Sequence, residues 1–123
     1  MQKHILLIDD DPDEIDIFID AFRDAGLDYK YDAAPNALEG LKFLRETKPD
    51  YIVLDYKMPK MNGLECLVEI KKMPSLEDVP VVMYSSSLDE EIIETAQILG
   101  VSGCVVKPFD MRMLPSLLQP YLK

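Results

Sequence analysis

Four short apolar runs in this chain each end on a residue that can do chemistry. Asp9 and Asp10 follow Ile5-Leu6-Leu7-Ile8, and Asp55 follows Tyr51-Ile52-Val53-Leu54. Ser85 follows Val81-Val82-Met83-Tyr84, and Lys107 follows Cys104-Val105-Val106. Ligands of a parallel sheet bind outside the carboxyl ends of its strands. If the runs are strands of one such sheet, three carboxylates, a hydroxyl and an ammonium meet at one edge. Two like charges about 4 Å apart repel by about 4 kcal/mol at an effective dielectric of 20, so the acids need a cation. Magnesium fits: it takes hard oxygen ligands in an octahedron and keeps several waters. One or two carboxylates, a backbone carbonyl, waters and a phosphate oxygen would complete its shell. Asp55 is then placed as a nucleophile toward phosphorus, with the metal cancelling charge on the incoming group. Lys107 supplies a compact positive charge, and Ser85 a hydroxyl donor.

Each residue also has a plainer reading. Asp9-Asp10-Asp11 alone is an acidic helix start, Lys107 a surface lysine, and Ser85 one of three turn serines. Asp55 weighs against this set of readings, because a carboxylate closing an apolar strand is otherwise unwelcome. Pro108 adds to the argument for Lys107, since a cis bond before proline would aim the lysine inward.

The elements that must position these residues are legible as an alternation. Strands are expected near 4–9, 29–34, 50–55, 80–84 and 103–106, and helices near 12–25, 36–46, 62–73, 88–99 and 110–122. That order implies βαβ units and a parallel sheet, its first, third and fourth strands covered on both faces. Asp11-Pro12 reads as an N-cap followed by proline at the first helical position. Pro35-Asn36 and Asn62-Gly63 start the second and third helices, and Gly26 and Gly100 read as C-terminal caps. The first helix carries Ile15, Phe18, Ile19, Phe22 and Ala25 on one face, with Ile17 opposite, a candidate partner contact or a lone exposed isoleucine. Pro115 and Pro120 conflict with a continuous last helix, implying a kink or a start nearer Leu114. His4 reads as a surface histidine remote from the site, and Met111 and Met113 as core and helix-face fillers.

A length of 123 residues suits one domain, 1–123. The apolar runs are far shorter than a membrane span, and Met1-Gln2-Lys3-His4 lacks the pattern of a signal peptide. Two cysteines make no disulfide framework, so a cytoplasmic location is expected. A net charge of −10 lacks the basic footprint of direct nucleic-acid binding.

The chain resembles the receiver domain of two-component response regulators, of the chemotaxis-regulator type, across essentially its whole length. The matching motifs are Ile8-Asp9-Asp10-Asp11-Pro12, Leu54-Asp55-Tyr56-Lys57-Met58-Pro59-Lys60-Met61-Asn62-Gly63, Pro80-Val81-Val82-Met83-Tyr84-Ser85 and Gly103-Cys104-Val105-Val106-Lys107-Pro108-Phe109. Any one is weak, and four in order are specific. The resemblance implies an α/β, flavodoxin-like (βα)5 three-layer sandwich whose parallel sheet runs in the order 2-1-3-4-5. It implies Asp55 as phosphoacceptor, and Mg2+ (or Mn2+) held by Asp10, Asp55, the Lys57 backbone carbonyl and, through water, Asp9. Ser85 and Lys107 take the phosphoryl-binding switch positions. The Met58-Pro59 and Asn62-Gly63 turn would shape the loop over the phosphoryl group. The implied partners are a histidine kinase or phosphotransfer protein and a downstream protein target, with a homodimer as a further option. The length leaves no room for an effector domain, so a stand-alone receiver, a phosphorelay member or a piece of a longer regulator are the alternatives.

The sequence departs from the family's pattern in two places. Ser85 stands where threonine is commoner, which keeps the hydroxyl. Cys104 stands at the switch-aromatic position, too small to act as an aromatic reporter; Tyr84 or Tyr56 are candidates to stand in. Cys104 itself reads as a small apolar residue beside the core. Lys57 and Ser87 occupy positions that in the family influence phosphoryl lifetime. Three other functions compete. An aspartate-nucleophile phosphatase would need a second aspartate, which Asp55-Tyr56-Lys57 lacks. A flavin module would need a hydroxyl-rich loop after the first strand. The strongest rival is a receiver-fold interaction domain that works without phosphorylation.

Overall fold

The computed structural model describes residues 2–122; residues 1 and 123, the ends of the expected domain, lie outside the described residues. Five parallel strands, β1 (Lys3–Ile8), β2 (Tyr29–Ala34), β3 (Tyr51–Leu54), β4 (Val81–Ser85) and β5 (Gly103–Val106), form one sheet in the order β2-β1-β3-β4-β5. They alternate with α1 (Pro12–Asp24), α2 (Ala37–Glu46), α3 (Gly63–Lys71), α4 (Glu90–Ile98) and a short α5 (Leu114–Leu118). The expected class and strand order are both present.

Two cores lie on opposite faces of the sheet, and side-chain alternation along each strand assigns residues between them. Leu6, Ile8, Ile52, Leu54, Val81 and Met83 pack with Leu41 and Leu44 of α2, Leu67 and Ile70 of α3, and Ala96 of α4. Ile5, Leu7, Tyr51, Val53, Val82 and Tyr84 pack with Phe18 and Phe22 of α1 and Leu114 and Leu118 of α5. With both faces covered, β3 and β4 are buried at every position, which is why they read as unbroken apolar runs. Each fully buried side chain of this kind stabilises the fold by roughly 1.5–3 kcal/mol.

Helix ends follow their local chemistry. Asp11 caps α1 by accepting the Asp13 N–H, and Asn36 caps α2 by accepting that of Glu39. Gly26 and Gly100 sit at φ +77° and +95°, where glycine carries no Cβ penalty.

Several expectations need correction. The segment expected as a helix over 110–122 divides into a 3₁₀ turn (Met111–Met113), α5, and a second 3₁₀ turn (Gln119–Tyr121). The two prolines remove backbone donors, and α5 begins at Leu114 with Pro115 in its first turn. Met113 is exposed rather than a core filler. Ala25 is the C-cap of α1 and exposed, outside the buried face. His4 is not a surface group. Its side chain is 12% exposed, with Nε2 2.7 Å from Asp32 Oδ2 and the ring edge-on to Phe43. It lies near the amino end of β1, at the opposite end of that strand from Asp9.

Candidate phosphoryl and metal site

The sheet's hydrogen bonding continues into the residues at its carboxyl edge. The Asp9 N–H donates to the Ala34 carbonyl (3.1 Å) and the Asp55 N–H to that of Ile8 (2.9 Å). The Lys107 N–H donates to the Ser85 carbonyl (3.0 Å). Ser85 is itself the last residue of β4, opposite Val106. Backbone pairing, more than side-chain attraction, therefore fixes where these groups start.

Asp9, Asp10 and Asp55 come together with carboxylate oxygens within 4.8 Å of one another. Asp9 and Asp55 are buried and Asp10 is exposed. Lys107 Nζ donates to Asp9 Oδ2 at 3.0 Å and lies 4.0 Å from Asp55 Oδ2. The Asp55 Oδ1 accepts the Tyr56 N–H at 2.8 Å. These groups, with Asp11, Glu14, Lys57, Ser85 and Ser86, line a cleft of about 300 Å³. All the anticipated site residues except Cys104 meet there.

Burial pushes the Asp55 carboxyl above its ordinary pKa. A Ser85 hydrogen bond, the Lys107 charge and the Tyr56 N–H pull it down, while Asp9 pushes it further up; burial prevails. Burial works against the Lys107 ammonium, but Asp55, Asp9 and Glu14 outweigh it, and the lysine pKa is raised. Ser85 Oγ also receives a long contact from the Ser87 N–H, 3.4 Å.

The loop after β3 is built by two tight interactions. The Gly63 N–H donates to the Tyr56 carbonyl at 2.7 Å. Asn62 and Glu65 form a reciprocal capping box at the start of α3, which satisfies two otherwise orphaned backbone donors. A Cβ at Gly63 would run into the Asp55 carbonyl and the Tyr56 Cα, so only glycine lets the helix start this close to Asp55.

The profile of the response regulator receiver domain family matches residues 5–119. The chain belongs to this family. Chemotaxis protein CheY-3 of Vibrio cholerae is 35% identical over 111 residues, covering 89% of this chain and 84% of CheY-3. The phosphorylated cyanobacterial phytochrome response regulator RcpA superposes with a TM-score of 0.89 at 26% identity, covering 100% of this chain and 96% of that one. The manganese-bound response regulator Rcp1 gives 0.87 at 25% identity, covering 98% and 95%. Other relatives are longer, and the chain spans only 51% of one of them. Receiver domains are phosphorylation-driven signalling domains of two-component systems rather than conventional enzymes, and they generally bind Mg2+ in an acidic pocket.

Within this receiver domain, two expectations about the site change. The bond before Pro108 is trans, as are all those described. Lys107 points inward because the β5 ladder sets its backbone and three acids draw its side chain, 13% exposed. Tyr84 does not stand in for the missing aromatic. It faces the α1/α5 core, whereas Cys104 packs on the α2/α3/α4 side, together with Tyr56. Cys104 is half-buried there and its thiol pKa is raised by burial, consistent with a small apolar filler. Glu14, 3.8 Å from Lys107 Nζ, was not anticipated. Its signal was present: it lies in the first turn of α1, four residues beyond Asp10.

Proposed function

We propose that this receiver domain accepts a phosphoryl group on Asp55 from a phosphohistidine of a histidine kinase or phosphotransfer protein. A carboxylate oxygen of Asp55 bonds to phosphorus as the P–N bond breaks, and the electron pair leaves with the imidazole nitrogen. The observation that carries this reading is Asp55 itself: a buried carboxylate 4.0 Å from Lys107 and clustered with two further acids, opening on a polar cleft.

The donor set fits a hard divalent cation, with carboxylate oxygens gathered within 4.8 Å that otherwise repel one another. Asp10, Asp55 and the Lys57 carbonyl would hold Mg2+ or Mn2+, with Asp9 acting through water. The bound ion supplies charge neutralisation for the incoming phosphoryl group. Lys107 is held ready by Asp9 to pair with a phosphoryl oxygen, and the Ser85 hydroxyl donates to another.

The chain works as one receiver domain in the cytoplasm, with output through protein contact. Val106 at the end of β5 and Phe109 just after Lys107 are exposed apolar groups, which suits a downstream protein or a second copy. A phosphorylation-independent interaction domain is the second reading, favoured by Cys104 at the switch-aromatic position. One experiment separates them: incubation with acetyl phosphate and magnesium, then intact-mass measurement. A single phosphoryl adduct on wild type and none on Asp55→Asn is expected. No adduct on either supports the second reading.

A further inference from the structure

We propose that Tyr84 is a positioning residue for Lys107, its ring face holding the ammonium along the path from Asp9 to the phosphoryl group. This inference rests on the phosphoacceptor reading of Asp55. Lys107 Nζ lies over the Tyr84 ring, 5.4 Å from its centroid, inside the range at which a ring face attracts a cation. Asp9, Glu14 and Asp55 supply acceptors at 3.0, 3.8 and 4.0 Å, and the ring supplies a further contact.

The ring is itself well fixed. Tyr84 is 4% exposed and meets Phe18 edge-on at 5.8 Å, and Phe18 stacks on Phe22 at 4.6 Å. Its hydroxyl is buried with no hydrogen-bond partner among the described residues. The cavity it shares with Asp9, Glu14 and Asp55 measures about 10 Å³, room for no more than about one water. The tyrosine therefore serves no separate ligand; what it offers the site is its face. To pair with a phosphoryl group on Asp55, Lys107 Nζ must shift from where it now lies, 3.0 Å from Asp9 and 4.0 Å from Asp55. An ion pair depends steeply on donor–acceptor geometry, whereas a cation over a ring keeps its attraction across a small lateral shift. Tyr84 thus lowers the cost of that shift.

The test separates ring electronics from packing. Two proteins are compared, Tyr84→Phe and one with 3,4,5-trifluorophenylalanine in place of Tyr84. The rings have nearly the same shape, but fluorination removes the negative face. The phosphorylation rate with acetyl phosphate and magnesium is expected to be about fivefold lower for the fluorinated protein, as for a partly desolvated cation–ring contact. Tyr84→Leu should show a loss at least as large; if it fails to fold, the ring pair alone decides. Equal rates for the two ring variants, with wild type phosphorylated, overturn the role of Tyr84 and leave the Asp55 reading intact. Absence of an Asp55 adduct on wild type overturns both.

Discussion

Burial raises the Asp55 pKa, and the Ser85 hydrogen bond, Lys107 and the Tyr56 N–H offset this only in part. A raised folded pKa means the fold favours the protonated acid. That stability is fully present below the ordinary value of 3.8 and is lost as pH rises through the folded value. At neutral pH without metal, the ionised Asp55 therefore opposes folding. Asp55→Asn is expected to raise the unfolding midpoint at pH 7 in chelator, with the advantage vanishing below about pH 3.8; a midpoint unchanged at pH 7 would contradict this. Lys107→Ala should act in the opposite sense. It removes a charge-assisted hydrogen bond worth about 1.5–3 kcal/mol and leaves Asp9 and Asp55 facing each other, a loss readable in urea unfolding without metal. Tyr84→Phe deletes a buried hydroxyl that has no hydrogen-bond partner among the described residues, and should raise stability by about 1 kcal/mol. Lys57 is exposed on the rim of the cleft. Lys57→Ala should change the decay of the phosphorylated protein, followed by mass, and an unaltered decay would remove Lys57 from the account.

The elements show why some features were legible and others were not. The apolar runs of β1, β3 and β4 and the caps at Asp11, Asn36 and Asn62 are local signals, so the sheet edge could be located from the chain. The inward aim of Lys107 was legible only as an outcome. Proline offered a local explanation, but the observed cause is strand pairing with β4 and acids in α1 and just after β1 and β3, a nonlocal arrangement. Likewise the segment after Phe109 carried a helical apolar period, yet two prolines confine the α-helix to Leu114–Leu118. His4 found its partners on β2 and α2, which spacing along one strand could not reveal. At this scale Gly63→Ala is the sharpest probe. Its Cβ would meet backbone on the β3–α3 loop, where relief requires backbone movement. A loss of about 1–3 kcal/mol with slower phosphorylation is expected; a folded, fully reactive variant would show that the loop is not held by this close approach.

Across the whole molecule, a cation held by the acidic cluster, as proposed, would couple ligand binding to stability. A cation that binds only the folded state adds about 2.7 kcal/mol at one hundred times its Kd, a rise of about 10 °C in Tm for a domain of this size. Magnesium should raise Tm progressively in wild type and much less in Asp10→Asn. Switching has a similar arithmetic. Moving a two-state population from 1:99 to 99:1 takes about 5.5 kcal/mol, more than one charge-assisted hydrogen bond supplies. In the proposed switch, Ser85, Lys107 and the metal would therefore act together on the roughly two negative charges that a phosphoryl group brings. With Cys104 at the proposed switch-aromatic position, the proposed change would reach Val106 on β5 through backbone and the Ser85–Lys107 pair.

The most direct test traps the acyl phosphate. Protein phosphorylated by acetyl phosphate is reduced with borohydride, which converts an aspartyl phosphate to homoserine, and the peptides are sequenced by mass. Homoserine at position 55 is the predicted result. Homoserine at Asp9 or Asp10, or phosphate retained on another residue type with Asp55 unmodified, would contradict the account.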